Sequence, residues 1–110
     1  MAKEMRRILL SEAEFTDALR RFVRARDQVF HGAALQTSRV TSADPLEVEV
    51  VVQHRDRQEQ VMTLSATLLA AAVIRFCMEQ RIPLPRAAEK SVRRVSGGVA
   101  LDMQIDLSPG

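Results

Sequence analysis

Three side chains of the sequence, His31, His54 and Cys77, belong to types that act as nucleophiles, general bases or metal ligands. His31 falls at the predicted end of the first helix, where the helix dipole favours an imidazolium, and His54 falls in a predicted hairpin tip. Cys77 lies in an apolar run, which is typical of a buried and unreactive thiol. Neither histidine has a third ligand at metal-binding spacing, so we expect no metal site.

Carboxylates occur in two pairs, Glu47 with Glu49 and Asp102 with Asp106, each spaced to lie on one face of a strand. Such pairs serve acid–base catalysis or bind cations when a cleft holds them together. No cleft is predicted here, which favours solvated strand faces. The glycine pair at 97–98 has neither the strand-to-helix turn nor the Lys-Ser/Thr of a phosphate loop. We therefore expect a protein that is not an enzyme and has no cofactor.

Basic side chains are the other group of candidate functional residues. Lys and Arg number 16 against 14 Asp and Glu, and almost all the cations are arginines, which suit phosphate and carboxylate recognition. If the first helix adjoins segment 81–94, a patch for a phosphate backbone or a partner results. Arginine richness is also typical of a GC-rich, bacterial-like genome, so by itself it is poor evidence for nucleic-acid binding, and both interpretations stay open. The candidate contacts are Arg20, Arg24, Arg86, Lys90, Arg93 and Arg94.

The first helix is predicted from its start signal. Ser11-Glu12-Ala13-Glu14 matches a capping box, and apolar residues then recur at helical spacing as far as Gly32, a natural stop. These signals predict a surface helix over 11–31.

Strands are predicted where apolar and polar residues alternate. Segment 35–41 lacks clear alternation, but its β-branched residues suggest a short edge strand, and Ser96-Gly97-Gly98 supplies a turn. The clearer strands and hairpins cover 46–53, 59–64, 90–95 and 99–107.

Ser65 to Gln80 is predicted to be a central helix, because its apolar residues run round most of the helix surface. It is shorter than the roughly 20 apolar residues that a membrane span needs. Its cover would come from the first helix or from a second copy of the chain, and we expect a homodimer. The candidate residues of this core or dimer surface are Ala66, Ala70, Ala71, Ile74 and Cys77.

These elements predict the order α-(β)-β-β-α-β-β. The fold class is α+β: an antiparallel sheet of four to five strands with two helices in a two-layer sandwich. The 110 residues are expected to form one domain, with 1–10 and 108–110 flexible. The single cysteine excludes an intrachain disulfide, and the N-terminus lacks the apolar run of a secretory signal. We expect a cytoplasmic protein that does not enter a membrane.

Two families have a similar element order. The double-stranded-RNA-binding domain opens its second helix with a lysine cluster, whereas Ser65-Ala66-Thr67-Leu68 carries no cation. The full order resembles the dimeric secretion chaperones, which bind extended partner segments but are typically acidic and have a further C-terminal helix. We expect a small homodimeric binding or adaptor module that takes an extended protein segment by strand addition at edge 35–41. The alternative is an arginine-based nucleic-acid binder.

Overall fold

Six strands form two separate three-stranded antiparallel sheets in a computed structural model, which describes residues 2–107. Sheet A has the strand order β1-β6-β5, and sheet B has the order β2-β3-β4. The predicted α+β class is confirmed, whereas the single sheet of four to five strands is wrong. The elements are β1 (Lys3–Ser11), α1 (Glu12–Ala25), α2 (Asp27–Phe30), β2 (Ala34–Ala43), β3 (Leu46–Gln53), β4 (Glu59–Leu64), α3 (Ala66–Glu79), β5 (Glu89–Val95) and β6 (Gly98–Asp106).

The capping box starts α1 as predicted. Ser11 Oγ accepts a hydrogen bond from Glu14 N at 3.1 Å, and Glu14 Oε1 accepts one from Ser11 N at 2.9 Å. The predicted helix over 11–31 is interrupted at Arg26, whose backbone leaves the helical region with φ −100° and ψ 64°. The Arg26 guanidinium lies 4.9 Å from the centroid of the Phe22 ring. Residues 2–107 therefore form three helices where two were predicted.

The alternation of buried and outward-facing residues explains why β3 forms a strand of sheet B. Residues Leu46, Val48, Val50 and Val52 of β3 are buried, while their neighbours in sequence face outward. Segment 35–41 lies within β2, an edge strand of this sheet, and two register shifts interrupt its pairing with β3. Each shift is a bulge that bends the strand locally.

The N-terminal segment, expected to be flexible, forms a strand from Lys3 to Ser11. This strand, β1, pairs with β6 without a register shift, from Lys3 opposite Asp106 to Ser11 opposite Gly98. Its sequence, Lys-Glu-Met-Arg-Arg-Ile-Leu-Leu-Ser, lacks the apolar and polar alternation that would have predicted a strand. Residues 108–110, also expected to be flexible, lie outside the described part of the chain.

The core joins both sheets to the two longer helices. Ser65 caps α3, its Oγ accepting from Leu68 N at 3.4 Å. The buried side of α3 packs in one cluster with α1, the inner face of β3 and the inner face of β6. Within residues 2–107, no helix combines the length and the apolar character that crossing a membrane requires.

The molecule is elongated, measuring 55 × 25 × 20 Å along its principal axes. Along the inner face of β1, burial is greatest at the C-terminal end. Leu10 is buried and Ile8 half-buried, whereas Arg6 on the same face is exposed.

Gly98 lets β1 approach β6 closely, and we expect Gly98→Ala to destabilise the fold by about 1–3 kcal/mol through overpacking. A Cβ at this position would lie 1.9 Å from the carbonyl oxygen of Leu10, a backbone atom that moves only if β1 moves. Urea unfolding measures the loss of stability, and amide hydrogen exchange of β1 measures the loosening of the strand.

Gly97→Ala is the matched control, because a Cβ there meets nothing within 4 Å and only the left-handed φ of +83° opposes the substitution. That variant is expected to leave β1 exchange unchanged. Equal acceleration of β1 exchange in the two variants would contradict the close-approach explanation.

Candidate functional site

The residues with catalytic side chains are not assembled into a site. His31 is exposed at the left-handed cap of α2, and His54 Nε2 lies 2.9 Å from Gln60 Oε1 in the β3–β4 hairpin. Cys77 is fully buried in α3, and burial raises the pKa of its thiol, which disfavours the reactive thiolate. Across residues 2–107, no three His, Cys, Asp or Glu side chains are grouped so that they could hold a metal ion.

The predicted basic residues lie on different surfaces. Arg93 and Arg94 are neighbours in β5 and point to opposite faces of sheet A. Arg94 Nη2 lies 3.0 Å from Glu12 Oε1 at the start of α1, and Arg93 Nε lies 3.1 Å from Asp102 Oδ2 on the other face. Both cations are thus already placed beside carboxylates.

Arg20 and Arg24 line a groove of about 480 Å³ between α1 and α3. With Arg55 they also line a second groove, of about 430 Å³. Lys90 Nζ donates to a backbone carbonyl at 3.2 Å instead, and Arg86 is exposed in the connector before β5. The six predicted cations therefore do not form one positive surface.

The outer face of sheet A, the side away from the helices, is organised around Asp102. From β1, Arg7 donates two hydrogen bonds to this carboxylate, from Nε to Oδ1 at 2.6 Å and from Nη2 to Oδ2 at 3.2 Å. Arg93 approaches it from β5, but its buried Nε is not aligned for a hydrogen bond. The hydrogen bond from Arg7, then the charges of Arg7 and Arg93, hold the pKa of Asp102 below its usual range. Two cations share one carboxylate, so these three side chains carry one net positive charge at this point of a face that also presents Lys3, Glu89 and Asp106.

One hydrogen bond shows which backbone groups of β1 lie on its free edge. Leu107 N donates to Ala2 O at 3.0 Å, and continuing the ladder places these two residues opposite each other. In an antiparallel ladder, opposite residues alternate between hydrogen-bonded and non-bonded pairs. The even-numbered residues of β1 therefore bond to β6, and the N–H and C=O groups of the odd-numbered residues point away from it. Consistently, Ser11 N turns to Glu14 rather than to β6.

The same odd-numbered residues present their side chains on the outer face of sheet A. Met5 is 70% exposed and Leu9 is 63% exposed, with Arg7 between them. Large exposed apolar side chains next to unpaired backbone groups are features of an interaction site. We call Met5, Arg7 and Leu9, with their open backbone groups, the β1 edge surface.

The edge predicted for strand addition, 35–41, is a poorer template than β1. Register shifts interrupt β2 on both sides of its centre, between Leu35 and Thr37 and between Val40 and Ser42. β1 has no such interruption along its nine residues. The β1 edge surface is therefore the better site for an added strand.

A second exposed surface runs along α3. Thr67 is exposed, Ala71 and Ile74 are half-buried, and Met78 is 67% exposed. These four residues form the α3 stripe, beside a groove of about 660 Å³ between α1 and α3. Of the residues predicted for this surface, Ala66 and Ala70 are half-buried, Ala71 and Ile74 belong to the stripe, and Cys77 is in the core.

Comparison of the chain with protein-family models, with curated proteins and with solved structures finds no match. Its function therefore has to be inferred from the geometry of these surfaces.

Met5, Arg7 and Leu9 were not among the residues predicted from the sequence. The apolar run Ile8-Leu9-Leu10 before the cap of α1 is a partial signal, because a short apolar run is consistent with a strand. What the sequence does not carry is the identity of the pairing strand, which lies about 90 residues further along the chain.

Asp102 should make stability depend on pH. Because its pKa is lowered in the folded state, it stabilises the fold above the unfolded carboxyl value of about 3.9. That contribution is lost as the pH falls through the lower folded-state value. Asp102→Asn should therefore unfold at lower urea concentration than the wild type at pH 7, and this gap should shrink towards pH 3.

Glu59→Gln, an exposed carboxylate at the start of β4, is the control and should show no comparable gap at either pH. A gap for Asp102→Asn that is as wide at pH 3 as at pH 7 would show that the ion pairs do not stabilise the fold.

Proposed function

We propose that the chain is a non-enzymatic binding module that takes an extended protein segment as a fourth strand of sheet A, along the free edge of β1. The observation that carries this proposal is the β1 edge itself. Over nine residues its register with β6 is unbroken, and its open backbone groups coincide with the exposed side chains of Met5 and Leu9. Strand addition uses such an edge for affinity and the alternating side chains for specificity.

The energetics of the edge favour this function. Each of Met5, Arg7 and Leu9 offers one donor and one acceptor to an incoming strand. A backbone hydrogen bond contributes about 0.5–1.5 kcal/mol net, so several in a row offset part of the entropy lost when a segment becomes ordered. Burial of Met5 and Leu9 against the segment adds the apolar contribution that backbone bonds alone lack.

Nucleic-acid binding, the alternative function, has less support. Arg20, Arg93 and Arg94 lie within 4 Å of carboxylates, which reduces the positive charge that they offer to phosphates. The chain has no Trp or Tyr, and the rings available for base stacking are all buried. These are Phe15, Phe22, Phe30 and Phe76.

The strand-addition proposal predicts that binders selected from displayed random nine-residue peptides lose affinity for Met5→Pro. Proline removes the outward N–H of residue 5 and places its ring at the edge, while the bonds from β1 to β6 stay intact. We expect binding about tenfold weaker than to Met5→Ala, which truncates the same side chain but keeps the N–H. Titration calorimetry measures the peptide affinities of the two variants, and circular dichroism confirms that both variants are folded.

In the wild type, bound peptide should also slow hydrogen exchange at the amides of Met5, Arg7 and Leu9. Failure to select any binder, or binders that treat the proline and alanine variants alike, would refute addition at this edge.

We also propose that two copies pair through the α3 stripe, so that the module is a homodimer. Its residues are spaced four, three and four positions apart, the spacing of a helix-pairing seam. The small residues Thr67 and Ala71 stand at one end and the large residues Ile74 and Met78 at the other. Antiparallel pairing would therefore set small side chains against large ones, which fills space without clash.

Ile74→Arg should convert the dimer to a monomer, because a buried and unpaired cation opposes association. Size exclusion with light scattering measures the mass, which should be twice the chain mass for the wild type. Val61→Arg introduces the same side chain at an exposed position of β4, outside the stripe, and should remain dimeric. A wild type that is monomeric at every concentration tested would disprove the pairing.

A further inference from the structure

We infer that the segment taken up by β1 carries an acidic residue with an apolar residue two positions away on each side. This inference rests on the proposed function, because it concerns the chemistry of the segment that the β1 edge surface binds. It assigns Arg7 to the acidic residue and Met5 and Leu9 to the apolar ones.

The spacing follows from strand geometry. Residues directly opposite in an antiparallel pair have their side chains on the same face of the sheet, and alternate residues share a face. Met5, Arg7 and Leu9 all present side chains on the outer face of sheet A. The three residues opposite them in an added strand are therefore also alternate residues and lie on that face.

The charge follows from the sharing of Asp102. Arg7 and Arg93 both lie against this one carboxylate, and Arg93 Nε remains without a hydrogen-bond acceptor. Arg7 uses Nε and Nη2 on Asp102, and its guanidinium carries further N–H groups. A carboxylate opposite Arg7 would accept from those groups and balance the second cation.

The apolar flanks follow from exposure. Met5 and Leu9 are mostly exposed, and both stand two residues from Arg7. Apolar residues opposite them would cover this surface, whereas polar residues would leave it in water.

A second copy of the chain fits this edge less well than an acidic segment. A symmetric antiparallel pair that sets Met5 against Leu9 of the other copy must be centred on Arg7. Arg7 would then stand directly opposite Arg7 of that copy, and like charges in this position are destabilising. In that register, charge complementarity favours an acidic segment over a second copy of the chain.

The test uses three synthetic nine-residue peptides, Thr-Thr-Val-Thr-X-Thr-Val-Thr-Thr with X as Glu, Gln or Lys, titrated into the wild-type protein by calorimetry. The Glu peptide should bind about tenfold tighter than the Gln peptide, since one charge-assisted hydrogen bond replaces a neutral one, and the Lys peptide should bind weakest. Raising the salt concentration should narrow the Glu–Gln gap without any change to the protein.

Arg7→Gln should reduce the Glu–Gln gap to within about twofold while both peptides still bind, and Met5→Pro should weaken all three peptides alike. Equal binding of the three peptides to the wild type, with loss in Met5→Pro, would overturn the acidic preference and leave strand addition standing. If none of the three peptides bound detectably, the inferred acidic and apolar pattern would be wrong. Strand addition itself would then be tested separately by the peptides selected from the random library. Binding that Met5→Pro does not weaken would overturn both.

Discussion

The position of β6 between β1 and β5 is the constraint on which the rest of the molecule depends. It brings the first and last strands into one sheet, with Lys3 opposite Asp106. Closing so long a loop costs entropy, although this cost grows only slowly with loop length. The ladder therefore depends on the helical core, which buries the inner face of sheet A, and on Gly98, which lets the two backbones meet.

Electrostatics across the three strands of sheet A follow from that arrangement. Asp102 lies on the central strand and is reached by one arginine from each side. A carboxylate on an edge strand would have only one neighbouring strand from which a cation could approach. The same three groups hold the strands together and carry one net positive charge between them, so stability and recognition arise from one cluster.

Local signals in the sequence predicted most of the helices and strands. The remaining features were not predicted, because they depend on pairing between distant parts of the chain. The capping box at Ser11, the alternation from Leu46 to Gln53 and the apolar run after Ser65 each depend on neighbouring residues, and each marks an element of the structure. The division into two sheets depends on how the helices pack, which no local pattern carries. β1 was missed because its sequence does not alternate between apolar and polar residues. The candidate site was missed with it, since Met5 and Leu9 matter only once β1 is an edge strand.

The alternation along β1 divides its positions by their consequences for the evolution of the protein. Ile8 and Leu10 face the core and, with their backbone groups, hold β1 on β6. Met5, Arg7 and Leu9 have both their side chains and their open backbone groups on the partner side. Selection can therefore change Met5 and Leu9 to suit a new partner with little penalty to folding, whereas Arg7 also binds Asp102 and supports the sheet. Arg7, Ile8 and Leu10 would diverge more slowly, so among diverged copies of this chain Met5 and Leu9 should vary more than these three residues.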